Sequence, residues 1–119
     1  EDSMGYYIYS DSTLQSEYLG KRNKLKSIFD SQNIDTYHDF TNTEYDPEFD
    51  SFLYKDIGYP NLRAMTNGLF HTPYAVTSLQ EYWASGVEDY FLGDRELLKR
   101  ISPKLYSKIE GVITHDQEY

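Results

Sequence analysis

Apolar positions recur along residues 74–91 at the spacing of one buried helix face. Trp83, Val87, Tyr90 and Phe91 share that face, while Glu81, Ser85 and Glu88 fall on another, stepping about 100° per residue. Thr77 or Ser78 supplies an N-cap, with Gln80 or Glu81 three residues on to complete a capping box, and Gly93 stands just past the last apolar residue as a stop. The pattern predicts one helix of about four turns. Its middle, Ala84, Ser85 and Gly86, carries little side chain. Glycine there costs roughly 1 kcal/mol, which is tolerable where another element must approach the backbone closely.

The rest of the chain also reads as helix. Leu14, Tyr18, Leu25, Ile28 and Phe29 keep a broadly helical period over residues 13–29 behind Asp11 or Ser12 as cap, and the basic block Lys21, Arg22, Lys24 and Lys26 reads as a solvated face. Residues 30–46 lack either period and read as a loop, with a short strand around 36–40 and a surface His38 beside Asp39. Asp46-Pro47 opens a short helix through Phe49, Phe52 and Leu53 that ends at Gly58. Tyr59-Pro60-Asn61 and Asn67-Gly68 read as turns around a single helical turn at most, and Pro73 forces the residue before it to be extended, so that a stiff segment leads into Tyr74. Asp94 caps a helix through Leu97, Leu98 and Ile101. Ser102-Pro103 caps the next one, which carries Leu105, Tyr106 and Ile109 and has Gly111 near its end, and the last eight residues read as frayed. Residues 1–10 read as the tail of a helix stopped at Gly5, followed by an extended segment. The expectation is a mainly α chain with little strand, in a single domain over residues 1–119.

Composition sharpens this picture. With 119 residues, 39% of them hydrophobic and 17% aromatic, the chain has enough bulk for one core, and its 13 Tyr supply much of the packing with their hydroxyls turned to water or to a partner. A net charge of −9 argues against nucleic acid or an anionic membrane surface as partner and favours a cationic one. No cysteine is present, which removes disulfides, thiolate metal sites and cysteine nucleophiles. No apolar run approaches the roughly 18 residues that would span a bilayer.

Candidate chemistry centres on Tyr74 and Glu81. On composition alone Glu81 is a capping or dipole-facing carboxylate near a helix start. The segment Tyr74-x6-Glu81-Tyr82-Trp83-Ala84-x-Gly86, however, resembles the C-terminal part of the active site in the anthrax lethal factor-like zinc metallopeptidases, a group that includes the Pro-Pro endopeptidases. The resemblance implies that Glu81 is the third zinc ligand and that Tyr74 lies over the metal and donates to the developing oxyanion. The other two ligands, and the general base, come in that family from a His-Glu-x-x-His helix. This chain has no such motif, its histidines being the scattered His38, His71 and His115. Glu1-Asp2-Ser3-Met4-Gly5 resembles the short acidic run that follows the second histidine of that motif. Ser85 departs from the family pattern, which often has another acid there.

The resemblance therefore implies the helical C-terminal subdomain of a zincin-like catalytic domain, secreted by a bacterium and toxin-related, acting on a peptide or protein substrate. The zinc histidines would lie in an upstream part of the same protein, and the subdomain alone would bind zinc weakly and cleave nothing. His71, three residues before Tyr74, could line the substrate groove. Two other readings stand beside this one. One is a non-catalytic helical binding module, either a degenerate zincin relative that has lost its histidines or an unrelated interaction module; the other is a metal site built within this chain from His71, Glu81 and a further histidine.

Overall fold

A computed structural model describes residues 11–117, the side chains of 115–117 excepted. The helix tail expected at residues 1–10 lies outside these residues, as does the side chain of His115. The described residues form a mainly helical structure, and no strand occurs among them.

Helix α1 (Ser12–Ser31) is the central strut. Asp11 caps it by accepting from the Leu14 amide at 3.0 Å, and its other oxygen pairs with Lys108 Nζ at 2.9 Å, so the cap is also a tie to the last helix. At the far end Asn33 takes a left-handed φ of 60°, which lets the Ile34 amide return to the Phe29 carbonyl at 2.9 Å and close the helix.

One stripe of α1, Leu14, Tyr18, Leu25 and Phe29, is buried at helical spacing, but its middle turn is cationic. Lys21 and Arg22 were expected in water and are buried instead; only Lys24 and Lys26 of that block are exposed. The reason lies in the backbone around them. Lys21 Nζ donates to the carbonyls of Leu69 and, at 2.6 Å, Ile101. Arg22 donates to Asn42 O and Tyr18 Oη at 2.9 Å and to Asp39 O at 3.1 Å, with its guanidinium 4.5 Å from the Phe49 ring centroid. Loop and helix-end carbonyls that have no ladder partner are thereby satisfied by two side chains of one helix. Burial pushes the Lys21 ammonium down to about 8.

Residues 36–40 make no ladder, because a lone extended segment without a neighbouring strand has nothing to pair with. Phe40 is nevertheless buried, edge-on to Phe29 and Phe49. Helix α2 (Pro47–Ser51) starts as its Asp46-Pro47 signal dictates and runs into a π-helical turn, Phe52–Ile57. Gly58, at φ 87°, ends that turn and admits the chain directly into α3 (Tyr59–Met65). Tyr59-Pro60-Asn61 is therefore the first turn of a helix and not the free turn expected, since proline at a first-turn position forfeits no intrahelical bond.

Helix α4 (Leu79–Leu92), α5 (Arg95–Ile101) and α6 (Pro103–Gln117) complete the core. α4 packs on α6 where Gly86 stands: a Cβ there would lie 2.5 Å from Leu105 Cδ2 and 3.1 Å from Ile109 Cδ1, so the bare middle of α4 is where the two helices meet. Ser85, expected on the outer face, is buried with it, whereas Phe91 of the expected apolar face is exposed. α6 continues past Gly111 through Gln117 in place of the expected fraying, with Val112 and Ile113 still packed on the core. No helix among the described residues is long and apolar enough to cross a membrane.

Candidate functional site

Tyr74 sits in a 3-10 turn, Pro73–Val76, whose other three residues are buried. Thr72, extended as the residue before a proline must be, accepts from the Tyr74 amide through Oγ1 at 3.0 Å, and Thr77 Oγ1 donates to the Tyr74 carbonyl at 2.8 Å. Tyr18 Oη anchors the same turn by donating to Val76 O at 2.8 Å. The backbone is held from both sides with Pro73, Ala75 and Val76 buried, while Tyr74 is 56% exposed.

Glu81 lies in the first turn of α4 behind Ser78, whose Oγ accepts from the Glu81 amide at 3.1 Å. Its side chain is exposed. The Leu79 amide donates to Thr43 O at 2.9 Å, which lays the loop carrying Tyr45 against the start of α4. The Glu81 carboxylate is close enough to help raise the Tyr45 phenol above its ordinary value, after the Asp50 hydrogen bond and desolvation. Asp50 then joins two segments: Tyr45 Oη donates to Oδ2 at 2.7 Å and Tyr59 Oη to Oδ1 at 2.6 Å. The Tyr59 ring meets the Tyr74 ring edge to face, centroids 4.9 Å apart. Tyr45, Asp50, Tyr59 and Tyr74 thus form one continuous array, with Glu81 on the neighbouring start of α4, and Tyr54 extends it through Tyr59 at 5.4 Å.

His71 belongs elsewhere. Its side chain is 2% exposed, stacked 6.3 Å from the Tyr82 ring, with Nδ1 3.6 Å from Asp89 Oδ2 and neither ring nitrogen in a hydrogen bond. Burial pushes the imidazole below its usual value, and the Asp89 charge opposes that shift. Tyr74 thus ends the surface array, Glu81 lies exposed on the neighbouring first turn of α4, and His71, three residues before Tyr74, is turned inward. His38, expected at the surface, is half-buried and stacks on Tyr37 at 4.6 Å beside Phe49 and Phe52.

Among the described residues no three His, Cys, Asp or Glu side chains gather closely enough to hold a metal ion. Glu81 offers one open carboxylate, a residue type that would fill one corner of a tetrahedral zinc site only if the other ligands came from outside these residues. A groove of about 780 Å³ between the end of α1 and α3, lined by Ile34, Asp35, Phe52, Asp56 and Asn61 among others, is lined by none of Tyr74, Glu81 or His71.

Asp50, Tyr45 and Tyr59 escaped the reading of the sequence. They lie 5 to 29 residues from Tyr74 or from each other, and only the packing of α2, α3 and the 3-10 turn brings them together; the one signal was the abundance of Tyr and acid. Compared with protein-family models, with curated proteins and with solved structures, the chain finds no match.

Proposed function

We infer that the chain is the helical C-terminal part of a zinc metalloendopeptidase, contributing Glu81 as a zinc ligand and Tyr74 as a hydrogen-bond donor to the transition state. The observation that carries this reading is that the Tyr74 phenol and the Glu81 carboxylate are both open to solvent, one at the end of the tyrosine array and the other on the neighbouring first turn of α4. Their spacing in the sequence resembles that of the lethal factor-like peptidases. Zinc, when bound, supplies a Lewis acid that polarises water and the scissile carbonyl.

The chain's own residues do the rest of their share. Ser78 fixes the first turn of α4 and so the direction from which Glu81 reaches outward. Thr72 and Thr77 fix the backbone of Tyr74, leaving its hydroxyl free to donate where negative charge develops. One carboxylate does not hold zinc, so the 119 residues alone cleave no peptide; the two histidines and the general base belong to an upstream part of the same protein. Secretion from a bacterium follows from the same family likeness.

The test is a longer polypeptide that includes the residues before Glu1. A His-Glu-x-x-His within about ten residues upstream, zinc-dependent cleavage of peptides, loss of zinc and activity in Glu81→Ala, and a kcat lowered about 10²–10³-fold in Tyr74→Phe are expected. Absence of that motif, or cleavage by the 119 residues alone, overturns the reading. A second reading, a non-catalytic binding module, draws on the exposed Tyr45, Tyr54 and Tyr74, and it predicts that the longer polypeptide binds peptide and leaves it intact.

A further inference from the structure

The geometry points to Asp50 and Tyr59 as a positioning pair that holds the Tyr74 ring in the orientation catalysis needs; this rests on the peptidase reading above. Tyr74 has its backbone fixed by two threonines, but more than half of its side chain faces water. An exposed ring on a fixed backbone still samples its staggered rotamers, and a donor that wanders by an ångström loses much of its effect. The Tyr59 ring lies against it, tilted 73° with centroids 4.9 Å apart.

Tyr59 is itself held at both ends. Its backbone begins α3 directly after Gly58, and its hydroxyl donates to Asp50 Oδ1 at 2.6 Å. Burial, then the Asp50 carboxylate, raises the Tyr59 phenol well above its ordinary value, so that it stays protonated and continues to donate. Asp50 in turn is fixed by Tyr45 on its other oxygen and by its amide bond to Asp46 O at 3.0 Å. A ring anchored by a charge-assisted bond is a stiffer wall than one held by packing alone. The Tyr59 side chain meets Asp50, Tyr54 and Tyr74, so its action on the site passes through Tyr74.

The test uses 3-fluorotyrosine placed at position 74 of the 119-residue chain and read by fluorine NMR. The unaltered chain shows a signal displaced from that of the free amino acid, because the Tyr59 ring is held against it. Tyr59→Phe, which keeps the ring and removes the bond to Asp50, moves the signal toward that of the free amino acid; Tyr59→Ala moves it further. Tyr106→Phe, which removes a phenol–carboxylate bond to Glu110 elsewhere, leaves it unchanged. In the longer polypeptide, Tyr59→Phe lowers kcat about tenfold with KM within about twofold, and adds nothing to the loss in Tyr74→Phe. An unchanged fluorine signal in both Tyr59 variants, with unchanged circular dichroism, overturns the pairing, as does a kcat loss that adds to that of Tyr74→Phe. Should the longer polypeptide with Tyr59 intact cleave nothing, the peptidase reading fails, and the fluorine signal still decides whether Asp50 and Tyr59 hold the ring.

Discussion

Two tyrosine–carboxylate pairs in this molecule have the same length and opposite surroundings. Tyr82 donates to Glu17 Oε1 at 2.6 Å in the interior, and Tyr59 donates to Asp50 Oδ1 at 2.6 Å near the surface. Around the inner pair the carboxylate has further structural tasks. Glu17 also accepts from the Lys104 amide at 2.8 Å and the Leu105 amide at 3.1 Å, so a residue of α1 caps α6, and Tyr82 Oη lies 3.1 Å from Ser102 Oγ. The Tyr82 phenol is pushed far above its ordinary value, first by burial and then by the Glu17 charge. Around the outer pair the carboxylate receives only phenols, and the ring beyond it faces solvent. The same bond therefore closes the core in one place and shapes an open array in the other, and burial decides which.

Breaking the inner pair should have the largest effect. Glu17→Ala leaves two helix-terminal amides and the Tyr82 hydroxyl without their acceptor, and is expected to cost about 3 kcal/mol. Urea unfolding of the variant would show this as a lower midpoint at unchanged slope; a midpoint within error of the parent would mean that water replaces Glu17 freely. Next in size is the contrast between the phenols. Tyr82→Phe is expected to cost about 2 kcal/mol because it strands a partly buried carboxylate lone pair, whereas Tyr59→Phe costs about 0.5 kcal/mol because water takes over at Asp50. Equal losses in the two variants would erase the distinction between the regions.

The smallest effect sharpens the boundary between them. The His71 imidazole, packed on Tyr82 of α4, faces Asp89 of α4 and Lys21 and Glu17 of α1, and its proton affinity is lowered by burial. A group whose folded pKa lies below the unfolded value of about 6.5 favours the fold in its neutral form. Its contribution is complete above that pH and declines as pH falls through 6.5 toward the folded value, because the unfolded chain then binds the extra proton. Stability measured by urea unfolding between pH 7.5 and 5.5 should fall for the parent chain and fall less for His71→Phe. Parallel curves would show that the Asp89 charge cancels the burial.

Much of the architecture could be read from local order. The Asp11, Asp46, Ser78 and Asp94 caps, and the start of α6 at Pro103, follow from short-range hydrogen bonding that each segment satisfies by itself. The bare middle of α4 also announced a close neighbour, and Leu105 is that neighbour. Gly93 shows the limit of such reading: it ends α4 at φ −115°, outside the left-handed region, so the stop is not the left-handed cap that its position announced, and a Cβ there would crowd Asp89 one turn back, 3.1 Å from its Cα.

What the order of residues determined, then, is where most helices begin and the main buried stripe of α1, because capping and periodicity act within a few residues. It also placed Tyr74 ahead of a helix bearing Glu81. The tertiary structure alone decided that Lys21 and Arg22 go inside, that Glu17 caps a helix 86 residues away, and that Asp50 and Tyr59 stand beside Tyr74. Those outcomes depend on which backbone carbonyls and amides are left unpaired once the helices have packed, and no local stretch of sequence carries that information.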